Sequence, residues 1–300
     1  MKKNKSFNII VPIYQKLNAC DKLSLRSLIK TTLIDSDLKY PIYIICPQSK
    51  FESIYLDFND FLCEEFGLKL DATHFVSFTD LYFDSIESYS KLLLNHKFYE
   101  TFYKMGFEYS YIFQLDCFLF RDELQYWVNL GYDYLGAPIC ASNSDWGENA
   151  DNLDYVGNGG FSLRNNKTFL EVLNQNGVFK EIYQKYSKEL FETMLPKNSN
   201  KRYMDFEDIY ICRLLSKFIK IKIPQAKAIA GFAWDRNPWI VQKKYKVGLP
   251  MCCHSWILFS RYWKGYIDEI NSDEEISEHC KNVVQRFEEA YHPEKEGYGN

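Results

Sequence analysis

Several things are missing from this 300-residue chain, and each absence removes a class of function. There is no run of about 18 uninterrupted apolar residues, so nothing reads as a membrane-spanning helix. The opening "MKKNKSFNIIVPIYQ" has a basic start, but its apolar run is too short for a signal peptide and Pro12 ends it. Without export, the nine cysteines are expected as reduced thiols in a cytoplasmic protein. No CxxC pair occurs, so zinc-ribbon and thioredoxin-like chemistry have no footing. Excess positive charge is also lacking: the formal net charge is −4, which argues against a phosphate-neutralising nucleic-acid surface. GxGxxG, Walker A and GxSxG patterns are absent, as is a zinc-protease helix, so dinucleotide, P-loop and serine-hydrolase sites have no local signature. No low-complexity linker or internal repeat divides the chain, which is read as a single domain over 1–300.

What is present is a large apolar fraction. Hydrophobic residues make up 46% of the chain, enough for a sizeable core. Aromatics reach 17%, with 23 Tyr and 23 Phe, which suits either an aromatic core or stacking on sugars and bases. The first third alternates strand and helix signals. "FNIIVPIY" (7–14) and "YPIYIICP" (40–47) read as strands around an amphipathic helix at 21–33, the rhythm of a parallel sheet. A helix at 58–67 stopping at Gly67 and a strand at 73–78 follow, then a helix over 85–106 with Ser85 as N-cap and Gly106 as stop. Further on, 132–139 reads as a strand and 140–155 as a long polar loop of functional type. "VGNGGFSLRN" (156–165) sets glycines where a ligand can approach backbone. A helix opens with acids at 205–218, 221–224 reads as a short strand, and the tail from about Asp273 as a solvated helix. "VQKKYKVG" (241–248) is either a solvated loop or a small basic contact with anionic lipid.

Asp116 is the only charged residue in "YIFQLDCFLF" (111–120), a stretch that reads as one buried strand. An ionised carboxylate there is costly unless it is paired, metal-bound or placed at the strand end. In an open α/β sheet, ligands bind beyond the carboxyl ends of strands, so Asp116 has the address of a Mg²⁺ or Mn²⁺ ligand. It could equally cap the following helix or pair with a buried Arg.

A strand ending in Asp, preceded by a helix carrying "SYSKLLL" (88–94), resembles the donor-binding half of GT-A glycosyltransferases, whose Asp-x-Asp motif holds a metal. Here the triplet is Gln114-Leu115-Asp116, with Gln in place of the first acid. The resemblance implies an α/β, Rossmann-like GT-A domain with a mostly parallel central sheet flanked by helices. Its donor half would span about 1–120, its acceptor half about 121–260 and a helical tail 261–300. It implies Tyr89 and Lys91 near the nucleotide and diphosphate; Lys91 alternatively is a solvated helix lysine. In "FEDIYICRLL" (206–215), Asp208 would be the general base and Glu207 would orient it or the acceptor, though acids in a first helical turn also partner the helix dipole. In "GLPMCCHSW" (248–256), His254 would join Asp116 on the metal unless it is structural. Gly157, Asn158, Gly159, Gly160 and aromatics such as Trp146, Trp234 and Trp239 would face the acceptor.

Taken in order, "YPIYIICP", "SYSKLLL", "YIFQLDCFLF", "YDYLGAP", "VGNGGFSLR", "EDIYI" and "CCHSW" resemble a bacterial glycosyltransferase-like domain-of-unknown-function family over about 7–260. The implied activity is transfer from a nucleotide-diphosphate sugar to a glycan or lipid-linked acceptor, assisted by Mn²⁺ or Mg²⁺, with inversion and at the cytoplasmic face of a membrane if lipid-linked. A retaining transferase, a nucleotidyl- or phosphotransferase, and a carbohydrate-binding protein without catalysis are the alternatives.

Overall fold

The computed structural model describes residues 4–34, 37–140, 154–174, 206–216 and 219–267. Its first strand, β1 (Phe7–Pro12), is buried at every position, as a parallel strand covered on both faces must be. Helix α1 (Ala19–Thr32) starts at a reciprocal cap: the Asn18 side chain accepts from the Asp21 backbone N–H, and the Asp21 side chain accepts from that of Asn18. It buries Leu25, Leu28 and Ile29 at helical spacing. Strand β2 (Ile42–Pro47) leads into α2 (Phe51–Phe66), which ends at Gly67 in the left-handed conformation that a terminating residue needs. Strand β3 (Phe75–Phe78) follows.

The single helix expected over 85–106 is two. α3 (Ile86–Leu93) is capped by Ser85, and α4 (His96–Lys104) restarts on the Asn95 side chain, which accepts from the Lys97 N–H. A second good N-cap residue within an apolar periodic run offers the backbone an alternative to continuing the helix. The apolar run 111–120 is likewise broken. β4 (Tyr109–Phe113) ends before Gln114, a turn carries Leu115 and Asp116, and β5 (Phe118–Leu119) pairs in a different sheet. Helix α5 (Leu124–Asn129) then leads to β6 (Tyr134–Leu135) and β7 (Ala137–Cys140). They meet at Gly136, where a Cβ would stand 1.8 Å from the Gly157 carbonyl oxygen. β8 (Asp154–Gly157), β9 (Phe161–Asn165) and α6 (Asn166–Leu173) come next, with α6 packed on α4. Glu207–Ile209 forms one α-turn that widens into a π-helix at Tyr210–Leu215, a geometry frequent at functional sites. The strand expected at 221–224 is irregular backbone. Last come β10 (Ala233–Trp234), α7 (Pro238–Tyr245), β11 (Cys252–Cys253) and α8 (Ser260–Ile267). Most of "VQKKYKVG" is therefore helix rather than loop. The polar loop at 140–155 and the tail from Asp273 fall almost wholly outside the described residues.

The main sheet has the order β3-β2-β1-β4-β9-β6, giving the expected α/β architecture. β3, β2, β1 and β4 are parallel to their neighbours, and β9 runs antiparallel to both β4 and β6. A three-strand sheet, β10-β11-β5, stands beside it. Aromatics fill the interior: Tyr111 stacks on Phe161 at 5.7 Å, and Phe161 packs on Phe232 at 5.1 Å. A second cluster joins Phe118, Trp234, Trp256 and Trp263 around the small sheet. Among the described residues no helix is long and apolar enough to cross a membrane.

Candidate active site

Two strand registers bring the charged groups together. β10 and β11 pair in parallel with Ala233 opposite Cys252 and Trp234 opposite Cys253, so the next step sets Asp235 beside His254. The His254 backbone N–H continues that ladder by donating to the Trp234 carbonyl at 2.8 Å. β11 pairs antiparallel with β5, Cys253 opposite Phe118, so the same step brings His254 to the turn holding Asp116 and Cys117. His254 accordingly lies between two carboxylates. Its Nδ1 is 2.9 Å from Asp235 Oδ1, and its Nε2 is 3.1 Å from Asp116 Oδ1. Burial pulls the imidazole pKa down, but Asp116 and Asp235 outweigh it and hold the pKa well above its usual value. Burial pushes Asp235 up, yet the His254 charge and hydrogen bond overcome it and keep this carboxylate below its ordinary range.

Asn158 ties this cluster to the helix carrying Asp208. It adopts φ 71°, left-handed backbone that Asn tolerates better than most residues. Its side-chain oxygen accepts from the Gly160 and Phe161 N–H groups at 2.7 and 3.2 Å, which fixes the amide orientation. Its Nδ2 stands 2.8 Å from His254 Nδ1 and bonds Asp235. Its backbone N–H donates to Asp208 Oδ2 at 2.7 Å. Gly160 leaves room for the imidazole, since a Cβ here would lie 2.1 Å from His254 Nε2. Gly159 is constrained too: its Cβ would meet Glu207 Oε1 at 2.1 Å. Glu207 itself is buried. Arg164 donates to its Oε1 at 2.8 Å and Ser90 to its Oε2 at 3.0 Å, while the fully buried Arg164 also donates to Tyr99 at 2.9 Å.

These groups face one cavity of about 970 Å³, at the upper end of ordinary ligand pockets. It opens beyond the carboxyl ends of the adjacent parallel strands β1 and β4, where Tyr14, Gln15, Gln114 and Asp116 line it. The described lining is acidic: Asp21, Asp84, Asp116, Glu207, Asp208 and Asp235 face Arg236 and His254. Burial pushes the Asp21 carboxyl up to about 6, the Asn18 N–H opposing this and the Asp116 charge adding to it. The Tyr89 hydroxyl, at the cavity wall beside Gln114, is buried without a partner at hydrogen-bonding geometry, and burial raises its pKa.

Asp116 and His254 fit a divalent cation. Neighbouring ligands of an octahedral ion at about 2.1 Å stand roughly 3 Å apart, and Asp116 Oδ1 and His254 Nε2 are 3.1 Å apart. Asp235, on the other ring nitrogen, supplies the carboxylate that commonly orients a metal-bound histidine. The Cys117 sulfur completes a cluster within 4.8 Å. Burial pushes that thiol well up and it donates to the Gly160 carbonyl, so the hard oxygen and imidazole donors define the site.

A family model described as "Protein of unknown function (DUF5672)" matches residues 72–254. The chain belongs to this family. The matched span runs from just before β3 to His254 and includes Asp116, Asn158, Asp208 and Asp235. No curated protein matches the chain. Among solved structures, mouse xyloside xylosyltransferase 1 in its apo form is similar with a TM-score of 0.49 and 10% identity, over 83% of this chain and 97% of that one. The galactosyltransferase LgtC in complex with donor and acceptor sugar analogues gives 0.49 and 12%, over 91% and 99%. The apo form of GlyE from Streptococcus pneumoniae TIGR4 gives 0.46 and 13%, over 94% of this chain and 64% of that one.

Of the residues singled out from the sequence, Asp116, His254, Asp208, Glu207, Gln114, Tyr89, Asn158, Gly159 and Gly160 line the cavity. Gly157 ends β8 just behind it. Lys91 does not reach the lining: it is exposed on α3. Trp234 is 1% exposed, its indole N–H given to the Ala230 carbonyl, so it serves the second core cluster and presents no face to an acceptor. Trp239 packs against the same cluster, and Trp146 lies outside the described residues. Sequence reasoning missed Asp235 and Arg236. Their one signal is the charged pair that follows the apolar dipeptide Ala233-Trp234 within "GFAWDRNPW" (231–239), the same strand-end pattern that marked Asp116.

Proposed function

We propose that this protein is a glycosyltransferase that takes a sugar from a nucleotide-diphosphate donor and passes it to a hydroxyl of a glycan or lipid-linked saccharide. The observation that carries this reading is the convergence of a cation-competent pair, Asp116 and His254, and a separate carboxylate, Asp208, on one large cavity at the carboxyl ends of parallel strands. A binding module without catalysis has no need of the second carboxylate.

In the reaction, the acceptor hydroxyl oxygen attacks the anomeric carbon, its proton passes to Asp208, and the bond from that carbon to the diphosphate oxygen breaks. A single displacement of this kind inverts the anomeric centre. The Asn158 N–H holds one oxygen of Asp208 and thereby sets the direction of the carboxylate. Glu207, clamped by Arg164 and Ser90, supports the turn bearing Asp208. Asp116 and His254 would hold Mn²⁺ or Mg²⁺, which when bound offsets charge on the departing diphosphate. Asp235 fixes the imidazole so that Nε2 faces Asp116. Half-buried Tyr89, whose hydroxyl lies beside Gln114 at the cavity wall, offers a hydrogen bond to the donor.

The test is to titrate purified protein with UDP-, GDP- and CMP-sugars with and without Mn²⁺ and to follow sugar release. Asp208→Asn should lower transfer by at least about a hundredfold, the range of a lost general base, with donor affinity near that of the parent protein. If no nucleotide sugar binds under either condition, the donor reading fails.

A further inference from the structure

We propose that Arg236 is a cation that the protein itself supplies to the diphosphate of the donor, binding it at the cavity mouth next to the cation-competent pair. The inference rests on the donor reading above and adds to it a residue that the sequence pattern did not mark.

The argument is one of charge. A nucleotide-diphosphate sugar carries two negative charges on its diphosphate, and the described cavity lining holds six carboxylates. An anion entering such a lining is repelled unless cations meet it. A divalent ion on Asp116 and His254 does little more than neutralise Asp116 and Asp235, which already hold His254 between them. A further positive group is needed. Lys91, which the GT-A resemblance placed near the diphosphate, is exposed on α3 outside the lining. Apart from His254, Arg236 is the cation among the described lining residues.

Its placement suits the task. Arg236 follows Asp235, the carboxylate on His254 Nδ1, and lies close enough for its charge to act on Asp235. It is thus at the same end of the cavity as Asp116. It is exposed rather than sunk in the wall, so its guanidinium is free to meet an entering anion. Asn237, also in the lining, takes φ 54°, and Pro238 starts α7 directly after it, so the chain turns sharply away just past Arg236. A guanidinium presents paired N–H donors that match two phosphate oxygens, and such charge-assisted bonds are the strong class.

The experiment measures binding of Mn²⁺ alone, of UDP, GDP and CDP and the matching monophosphates UMP, GMP and CMP with Mn²⁺, and of inorganic diphosphate with Mn²⁺, for the parent protein, Arg236→Gln and Arg236→Lys. Arg236→Gln should weaken the best-bound nucleoside diphosphate by roughly 10- to 100-fold, the range for losing a hydrogen bond to a charged group. Mn²⁺ binding should be unchanged, and Arg236→Lys should recover part of the loss because charge returns without the fork. UMP, GMP or CMP should be affected less than the diphosphates. If nucleoside diphosphates bind the parent protein and Arg236→Gln leaves them within about twofold, the Arg236 proposal is wrong while the donor reading stands. If inorganic diphosphate binds through Arg236 but no nucleotide does, the donor reading is wrong and the assignment of Arg236 stands. Absence of binding by every diphosphate overturns both.

Discussion

Gly160→Ala isolates the packing that holds the candidate cation site. The backbone at Gly160 is outside the left-handed region, so alanine meets no torsional obstacle. All of its cost comes from the new methyl group, which would lie 2.1 Å from His254 Nε2 and 2.2 Å from Cδ2. Ordinary contact is about 3.5 Å, so the imidazole must retreat by roughly 1.4 Å. It cannot do so freely, because Asp235 at 2.9 Å on Nδ1 and Asp116 at 3.1 Å on Nε2 hold the ring from both nitrogens. Overpacking of this kind costs about 1–3 kcal/mol, which for a chain this long lowers Tm by roughly 2–4 °C per kcal/mol. The functional loss should be larger. Displacement of a positioned group by about 1 Å costs on the order of a hundredfold in rate, and Mn²⁺ affinity should fall by about 10- to 100-fold, as when a ligand loses its orientation. Gly248→Ala is the matched control, since a Cβ there has open space and the backbone is unstrained. Calorimetric Mn²⁺ titration, sugar transfer and thermal melts on both variants check this. Equal Mn²⁺ affinity in Gly160→Ala and the parent would refute the placement of His254 against Gly160.

Two further outcomes concern the frame of the site. Arg164→Met should destabilise the fold by about 3–5 kcal/mol in denaturant titration, because it strands Glu207 in a buried place with Ser90 as its remaining side-chain donor among the described residues; adding Glu207→Gln should restore part of the loss, and additive costs would contradict a direct pair. Asp21 titrates near 6 in the fold against 3.8 as an ordinary carboxyl, so the folded state binds its proton more tightly. Its contribution is therefore fully present below pH 4 and lost as pH rises to about 6, at most about 3 kcal/mol. Stability of Asp21→Asn relative to the parent should climb across that interval, and a flat difference would contradict the raised pKa.

The elements that could be read locally were read well. β1, α1, β2 and β3 each carry their own period, and Gly67 and Ser85 mark helix ends by backbone geometry and side-chain capping. Asp116 was legible as a carboxylate at a strand end because a charge in an apolar run has few low-cost places. The break in its strand was not legible, since both β4 and β5 are apolar and only their different partners separate them. Asp235 was invisible for a similar reason. It is placed by the register of a two-residue strand against one 19 residues later, and so short a strand has no period. Lys91 and Trp234 show the converse: the resemblance placed Lys91 by the diphosphate and an aromatic face suggested a sugar contact at Trp234, but helix facing and core packing decided otherwise.

The central claim is that Asp116 and His254 share one divalent ion where a nucleoside diphosphate binds. Electron spin-echo spectroscopy of the protein with one equivalent of Mn²⁺ and UDP or GDP reads this directly. The account predicts imidazole nitrogen modulation on the bound ion, absent in His254→Ala, and loss of nucleotide-dependent Mn²⁺ binding in Asp116→Asn. Bound Mn²⁺ with no nitrogen modulation, or with both variants unchanged, would contradict it.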